Sequence, residues 1–526
     1  MNRYVRQSLG YSVATAIVAA FVFAPLCAAH ATTDVMTSEA MNHPGCEHAT
    51  PRECVELAMN AMGGRQKLAA IENEQLDVVG HRSLAEQSYR QDPFITAYTH
   101  SQKTVDFLKG RVVSVNHTIW PEADPGITAA DLNNTMVETT QGAIVRSKDG
   151  DSPASLSNID DARTTLALSP ERLLLTAAAA PDLHFAPTET LRSTPHTVVA
   201  FQWNGAPVKV FINAFNHLPD GIESTRTFED YSFAWGDVTQ RVYFDNWKLM
   251  QGVLYPTNRV EMRNGIVWNS TQVLDAKFNI ALDEKQFAMD PKATVQSTQS
   301  KGWDDPFDDT SHVALAPGVD LYQGSWNATV IKQNDGVLVL EAPISPGFTE
   351  GVLAKARHDN PSMPIKGVLT TSDSWPHIAG VREAVAEKLP VYALDVNEPI
   401  LNRLVTAPHT LRPDNLQKNP QAAQWIVISG KREIGEGPNR IVVYPLRGAA
   451  TERQYMVYFP QHKLLYASDT LAIYPQKHTL YDPELMREVV QAVDREHLQV
   501  DTVYAMHEGP TKWSDVERMV NAAVHG

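Results

Sequence analysis

Three side chains able to bind a metal or move a proton stand at the ends of short apolar segments: His377, Asp469 and His507. His377 follows the run from Ile365 to Leu369 after a polar loop, Thr370 to Trp375. Asp469 follows the segment from Leu464 to Ala467, and His507 follows the segment from Val500 to Met506. Imidazole and carboxylate are ordinary ligands of zinc and other divalent ions. They are equally ordinary hydrogen-bonding groups, and an aspartate just after a strand is often a cap. Asp373, four residues before His377, offers a further carboxylate. Arg447, Glu452 and Arg453 share one loop, where an arginine suits bidentate capture of an anion or a solvated salt bridge. The sequence has no G-x-S-x-G, no H-E-x-x-H and no Walker pattern.

The elements that must position these groups are legible around Lys366–Gly380. The apolar run before Thr370 predicts a buried strand. Pro376 suits the first turn of a helix, where its missing N–H costs nothing. Ile378, Val381, Val385 and Leu389 continue at helical spacing, and Pro390 to Leu394 predicts the next strand. Polar side chains therefore gather at the carboxyl end of a strand, where open α/β sheets place ligands. The first half reads differently. From about Gln75 to Met289 it carries short alternating strands, with hairpin turns at Asn204-Gly205 and Asn264-Gly265, and a helical interruption between Asp160 and Ala180. Thr50-Pro51-Arg52-Glu53 predicts a capped helix start. Thr298 to Ser311 is polar and acidic, a linker composition.

A chain of 526 residues with 43% hydrophobic and 8% aromatic content implies two or three packed domains. Arg3 and Arg6, the apolar run Val13 to Leu26, and Ala29-His30-Ala31 predict a cleaved export leader over residues 1–31. Its loss removes two arginines and takes the formal charge from −16 to −18, which excludes nucleic acid and anionic membrane surfaces as partners. No later run reaches transmembrane length. Cys46 and Cys54 can pair in an oxidising envelope or simply pack.

The strand–loop–helix with a histidine just inside the helix and a glycine three residues on resembles the metal-binding loop of the metallo-β-lactamase superfamily, T-H-x-H-x-D-H-x-G-G. Here Thr371-Ser372-Asp373-Ser374-Trp375-Pro376-His377-Ile378-Ala379-Gly380 keeps the frame and, of the ligands, only His377. The hairpin ending at Glu341 resembles the family's opening, and later stretches align in order. Ala450 falls where the third histidine stands, Asp469 at the bridging aspartate and His507 at the last histidine. The positions of the first metal (Ser372, Ser374, Ala450) are thus lost. Three of four at the second (His377, Asp469, His507) remain. The rhythm of the segment from Phe228 to Trp268 is similar to that of periplasmic lipoprotein-carrier domains.

The resemblance implies an α+β protein. A β-rich antiparallel N-terminal domain (32–297) and a linker (298–312) precede a C-terminal αββα metallo-β-lactamase-type sandwich (313–526). It further implies a periplasmic or secreted metal-dependent hydrolase with one divalent ion, zinc the first choice, on His377, Asp469 and His507. Asp373 would ligate or act as base, Arg447 or Arg453 would orient a small-molecule substrate, and Trp375 would shield the site from water. The alternative is a non-catalytic envelope protein with a degenerate site, whose N-terminal concavity binds an apolar ligand.

Overall fold

The computed structural model describes residues 43–85, 94–119, 133–148, 150–299, 302–304, 306–474 and 478–525. The leader expected over 1–31 lies outside them.

The capped helix forms as its sequence dictates. The Thr50 hydroxyl accepts the Glu53 N–H, the Glu53 carboxylate accepts the Thr50 N–H at 2.7 Å, and Pro51 opens helix Pro51–Met62. Val55, Met59 and Met62 face the core, and a disulfide joins Cys46 to Cys54.

Thirteen antiparallel strands then form one continuous sheet. Both expected hairpins are present. Asn204 and Gly205 have φ of 49° and 78°, Asn264 and Gly265 of 47° and 82°, so both turns are of the primed kind that matches strand twist. The helical interruption is two helices, Leu156–Leu168 and Pro170–Ala179. They cover one face of the curved sheet and leave a trough of about 920 Å³ beneath them. This concavity is mixed, apolar in part as expected and polar in part. Charged, hydroxyl and amide side chains hold much of its wall, Glu74, Lys103, Glu138, Asp161, Arg226 and Arg259 among them. Alternation explains it: Glu74, Leu76 and Val78 share one face of a strand, as do Thr99, Ser101 and Lys103 of its neighbour.

Among the described residues, the second body is built on two larger sheets, beside a two-stranded one of Ile473–Tyr474 and Thr479–Leu480. The first has seven strands, from His312–Ala316 to Trp425–Ile428. Four antiparallel strands lead into three parallel pairings, beginning where Gly336–Leu340 meets Ile365–Leu369. Gly336–Leu340 is buried throughout, as a strand covered on both faces must be. The second sheet has six strands, Arg432–Ile434 to Thr511–Lys512. Val319, Ile331, Leu338 and Leu369 of one sheet meet Val443, Val457 and Tyr504 of the other in a single core. Helices Pro346–Asp359, Val381–Ala386 and Glu398–Thr406 pack on one outer face. Pro483–Arg495 and Trp513–His525 pack on the other. The layer order is helix, sheet, sheet, helix.

The two bodies share a core. Ala85, Phe94, Phe228, Trp235, Val238 and Trp268 of the first join Trp375, Ile378, Val381 and Leu401 of the second. The joint between them is packed as well. Trp303 lies against Tyr231 and Trp326, and Phe307 against Tyr322 and Phe348.

Candidate metal centre

Strand Ile365–Leu369 ends in a buried loop, and the four-residue helix Trp375–Ile378 begins at its far side. His377 sits in this helix with its side chain 1% exposed. Ser372 Oγ lies 3.3 Å from His377 Nδ1. Asp469 follows strand Leu464–Tyr466 by way of Ser468, whose φ of 58° turns the chain. Its N–H donates to the Gln454 side-chain oxygen at 3.1 Å. His507 follows strand Thr502–Tyr504, which pairs in parallel with Leu464–Tyr466. Parallel pairing puts both carboxyl ends at one edge, so Asp469 and His507 arrive together.

The three side chains converge. Asp469 Oδ2 lies 3.4 Å from His377 Nε2, and Asp469 Oδ1 lies 3.1 Å from His507 Nε2. One ligand atom from each lies within 4.8 Å of the others. His507 Nδ1 is 2.8 Å from the Ser325 carbonyl, a contact in which the ring nitrogen must be the donor. That bond leaves Nε2 as the inward-facing atom. His377 Nε2 is buried and has no hydrogen-bond partner. Burial lowers the His377 pKa to about 4, against the opposing pull of Asp469, so the ring is neutral near pH 7. At His507 burial also favours the neutral ring, but the Asp469 hydrogen bond and charge outweigh it and the pKa rises.

An orphaned buried imidazole nitrogen beside a carboxylate and a second imidazole fits a divalent ion. All three are ordinary zinc donors, three protein ligands leave a fourth position open, and the His507–Ser325 bond has the form of the outer support such histidines receive.

The other expected residues lie elsewhere. Asp373 is fully buried and paired with Arg453, whose guanidinium also donates to the Val396 carbonyl. Arg447 pairs with Asp395 at 2.7 Å. Neither arginine faces the centre unpaired. Trp375, two residues before His377, is enclosed by Trp268, Trp235 and Phe94 of the first body, its ring centroid 5.2–5.7 Å from theirs. The Ala450 N–H donates to the Glu488 carboxylate at 3.1 Å.

Sequence reasoning passed over two contributors. Ser325 acts through its backbone, which leaves no side-chain signal. Glu341, at a φ of 78°, is buried and accepts from Thr371 and from the Tyr466 hydroxyl at 3.1 Å. Burial pushes its carboxyl up to about 8. An acid closing a fully apolar strand was its only mark.

No family model matches the sequence, and no curated protein matches it. Among solved structures, the chain is similar to the stereoselective inverting sec-alkylsulfatase Pisa1 from a Pseudomonas species (14% identity, TM-score 0.31, 41% of each chain covered). It is similar also to the DIM-1 metallo-β-lactamase (14%, 0.32, 41% of this chain and 96% of that one). A LolA superfamily protein from Nitrosomonas europaea is a third neighbour (12%, 0.30, 46% and 98%). The chain thus spans about two-fifths of the alkylsulfatase.

Proposed function

We propose that this chain is a metal-dependent hydrolase with a single divalent ion, zinc first, held by His377, Asp469 and His507. The observation that supports it most is the orphaned, buried Nε2 of His377, facing the Asp469 carboxylate opposite the His507 ring. Bound there, the ion would supply Lewis acidity to a hydrolysable group.

The chain's own residues do the rest. Ser325 fixes the His507 tautomer through its carbonyl, and burial keeps the His377 nitrogen unprotonated. Asp469 supplies the one negative charge between the two rings. A substrate reaches this set from the His507 side, where 35% of the side chain is exposed, against 1% at His377 and 10% at Asp469. The Asp373–Arg453 pair ties the loop after Ile365–Leu369 to the one before Tyr455–Phe459, and its part in this reading is to hold the Ser372–Trp375 backbone in shape. The Cys46–Cys54 disulfide supports residence in an oxidising, extracytoplasmic compartment.

A second reading is a non-catalytic envelope protein, favoured by a trough in the first body that needs no metal. Elemental analysis and a hydrolase panel (sulfate, phosphate, carboxylic and lactone esters, β-lactams) on the metal-loaded full chain separate the two. Bound metal with turnover that chelator abolishes and zinc restores is expected. Stoichiometric metal with no turnover across the panel would favour the binder.

A further inference from the structure

The trough in the first body is a second, chemically distinct site. Its lining spans eight strands of the sheet and the covering helix Leu156–Leu168. Among the described residues, three cations line it without an ion pair within 4 Å. Lys103 donates to the Thr165 hydroxyl at 2.9 Å, Arg226 stacks over Phe228, and Arg259 donates to the Tyr255 hydroxyl. Carboxyl groups act on them only at a distance, Glu171 and Glu74 on Arg259 and Asp161 on Arg226, and enclosed cations without a close counter-charge are costly unless something else neutralises them. The carboxyls on the same wall do this poorly. Burial raises all three, Glu74 well above its usual range, Glu138 to about 7 and Asp161 to about 6, which weakens each as a counter-charge. Glu74 is 1% exposed and its Oε2 has no hydrogen-bond partner, nor has the Nε of Arg259.

Apart from His81, Arg82 and the ion-paired Glu229, Asp230, Glu261 and Arg263, the rest of the polar wall is mostly hydroxyl and amide. Ser101, Ser114, Asn116, Ser157, Asn158 and Ser224 face the same space, and neutral donors and acceptors at this density match a ligand that is itself hydroxyl-rich. We infer that the trough is a binding site for a polyhydroxylated small molecule that carries an anionic group. The cations take the anion, and the hydroxyl and amide wall takes the body. This site stands whether or not the second body carries a metal.

Titration calorimetry on the full-length mature chain tests this, with glucose 6-phosphate, galacturonate, glucose and laurate as probes. The first two are expected to bind saturably and more tightly than glucose, and to weaken as salt rises. Whichever binds tighter identifies phosphate or carboxylate as the preferred anion. Lys103→Gln with Arg259→Gln should weaken both sugar anions at least about tenfold, the scale of one lost charge-assisted bond. Ser101→Trp, which fills the trough without changing charge, should abolish binding. Circular dichroism and Cys46–Cys54 formation verify that both variants fold. Failure of both sugar anions to bind, binding no tighter than glucose, laurate binding more tightly than either, or unchanged affinity in both variants would overturn the inference.

Discussion

The two bodies handle buried ionisable groups in opposite ways. At the candidate metal centre three possible ligands end short buried segments, and two of those strands run parallel, so three donor atoms fall within 4.8 Å. In the trough the charges ride on alternating positions of long antiparallel strands and are spread over a wall of about 920 Å³. Parallel strand ends concentrate chemistry at a point, which suits an ion. Alternation across an antiparallel face distributes it, which suits an extended molecule. Trp375 joins the two. It precedes His377 by two residues, and its ring lies against Trp268, which lines the trough.

That junction is where the comparison breaks most easily. Trp375→Ala should destabilise the protein by about 3–5 kcal/mol, the range for truncating a large buried aromatic. The loss should also remove the coupling between bodies, so chemical denaturation, one transition in the parent, should split into two. A single unshifted transition would show that the shared core is not what holds the bodies together.

Next in size is a pH effect confined to the trough. Glu138 has a folded pKa near 7 against an ordinary 4.5, raised first by burial and then by Asp161. Below about 4.5 the folded and unfolded states are both protonated, and the group contributes nothing. As pH rises from 4.5 towards 7 the unfolded state ionises first, so stability is lost over that window, by up to ~3 kcal/mol, and is level above it. Glu138→Gln should flatten this part of the stability profile measured by urea denaturation. An unchanged profile would contradict the assignment.

The smallest effect is expected at Ser372. Ser372→Ala removes a long contact to His377 Nδ1 and should cost about 1 kcal/mol. It should leave metal content unchanged within error, by elemental analysis.

Most of the second body was legible because its signals are local. The run before Thr370, Pro376 at a helix start and the Ser468–Asp469 turn each mark an element end, and the observed layers follow. The Asn-Gly hairpins were legible for the same reason, since two left-handed residues are a sequence-encoded requirement. What stayed hidden depends on partners distant in sequence. Asp373 looked like a free carboxylate until Arg453, eighty residues on, was seen to hold it. Ser325 contributes only a carbonyl. The apolar concavity came only from the resemblance to lipoprotein-carrier domains, and the polar part of its wall depends on which face the helices cover. Trp375 read as a shield for the metal centre, yet its ring partners are three aromatics of the other body.

The central claim rests on His377, Asp469 and His507 holding one ion. The direct measurement is elemental analysis of the mature chain and of His377→Ala and His507→Ala after dialysis against trace zinc, manganese or iron, with circular dichroism to confirm folding. The account predicts close to one ion per parent chain, and almost none in either folded variant. Metal-free parent protein with all three ions, or equal metal in the parent and both variants, would contradict it.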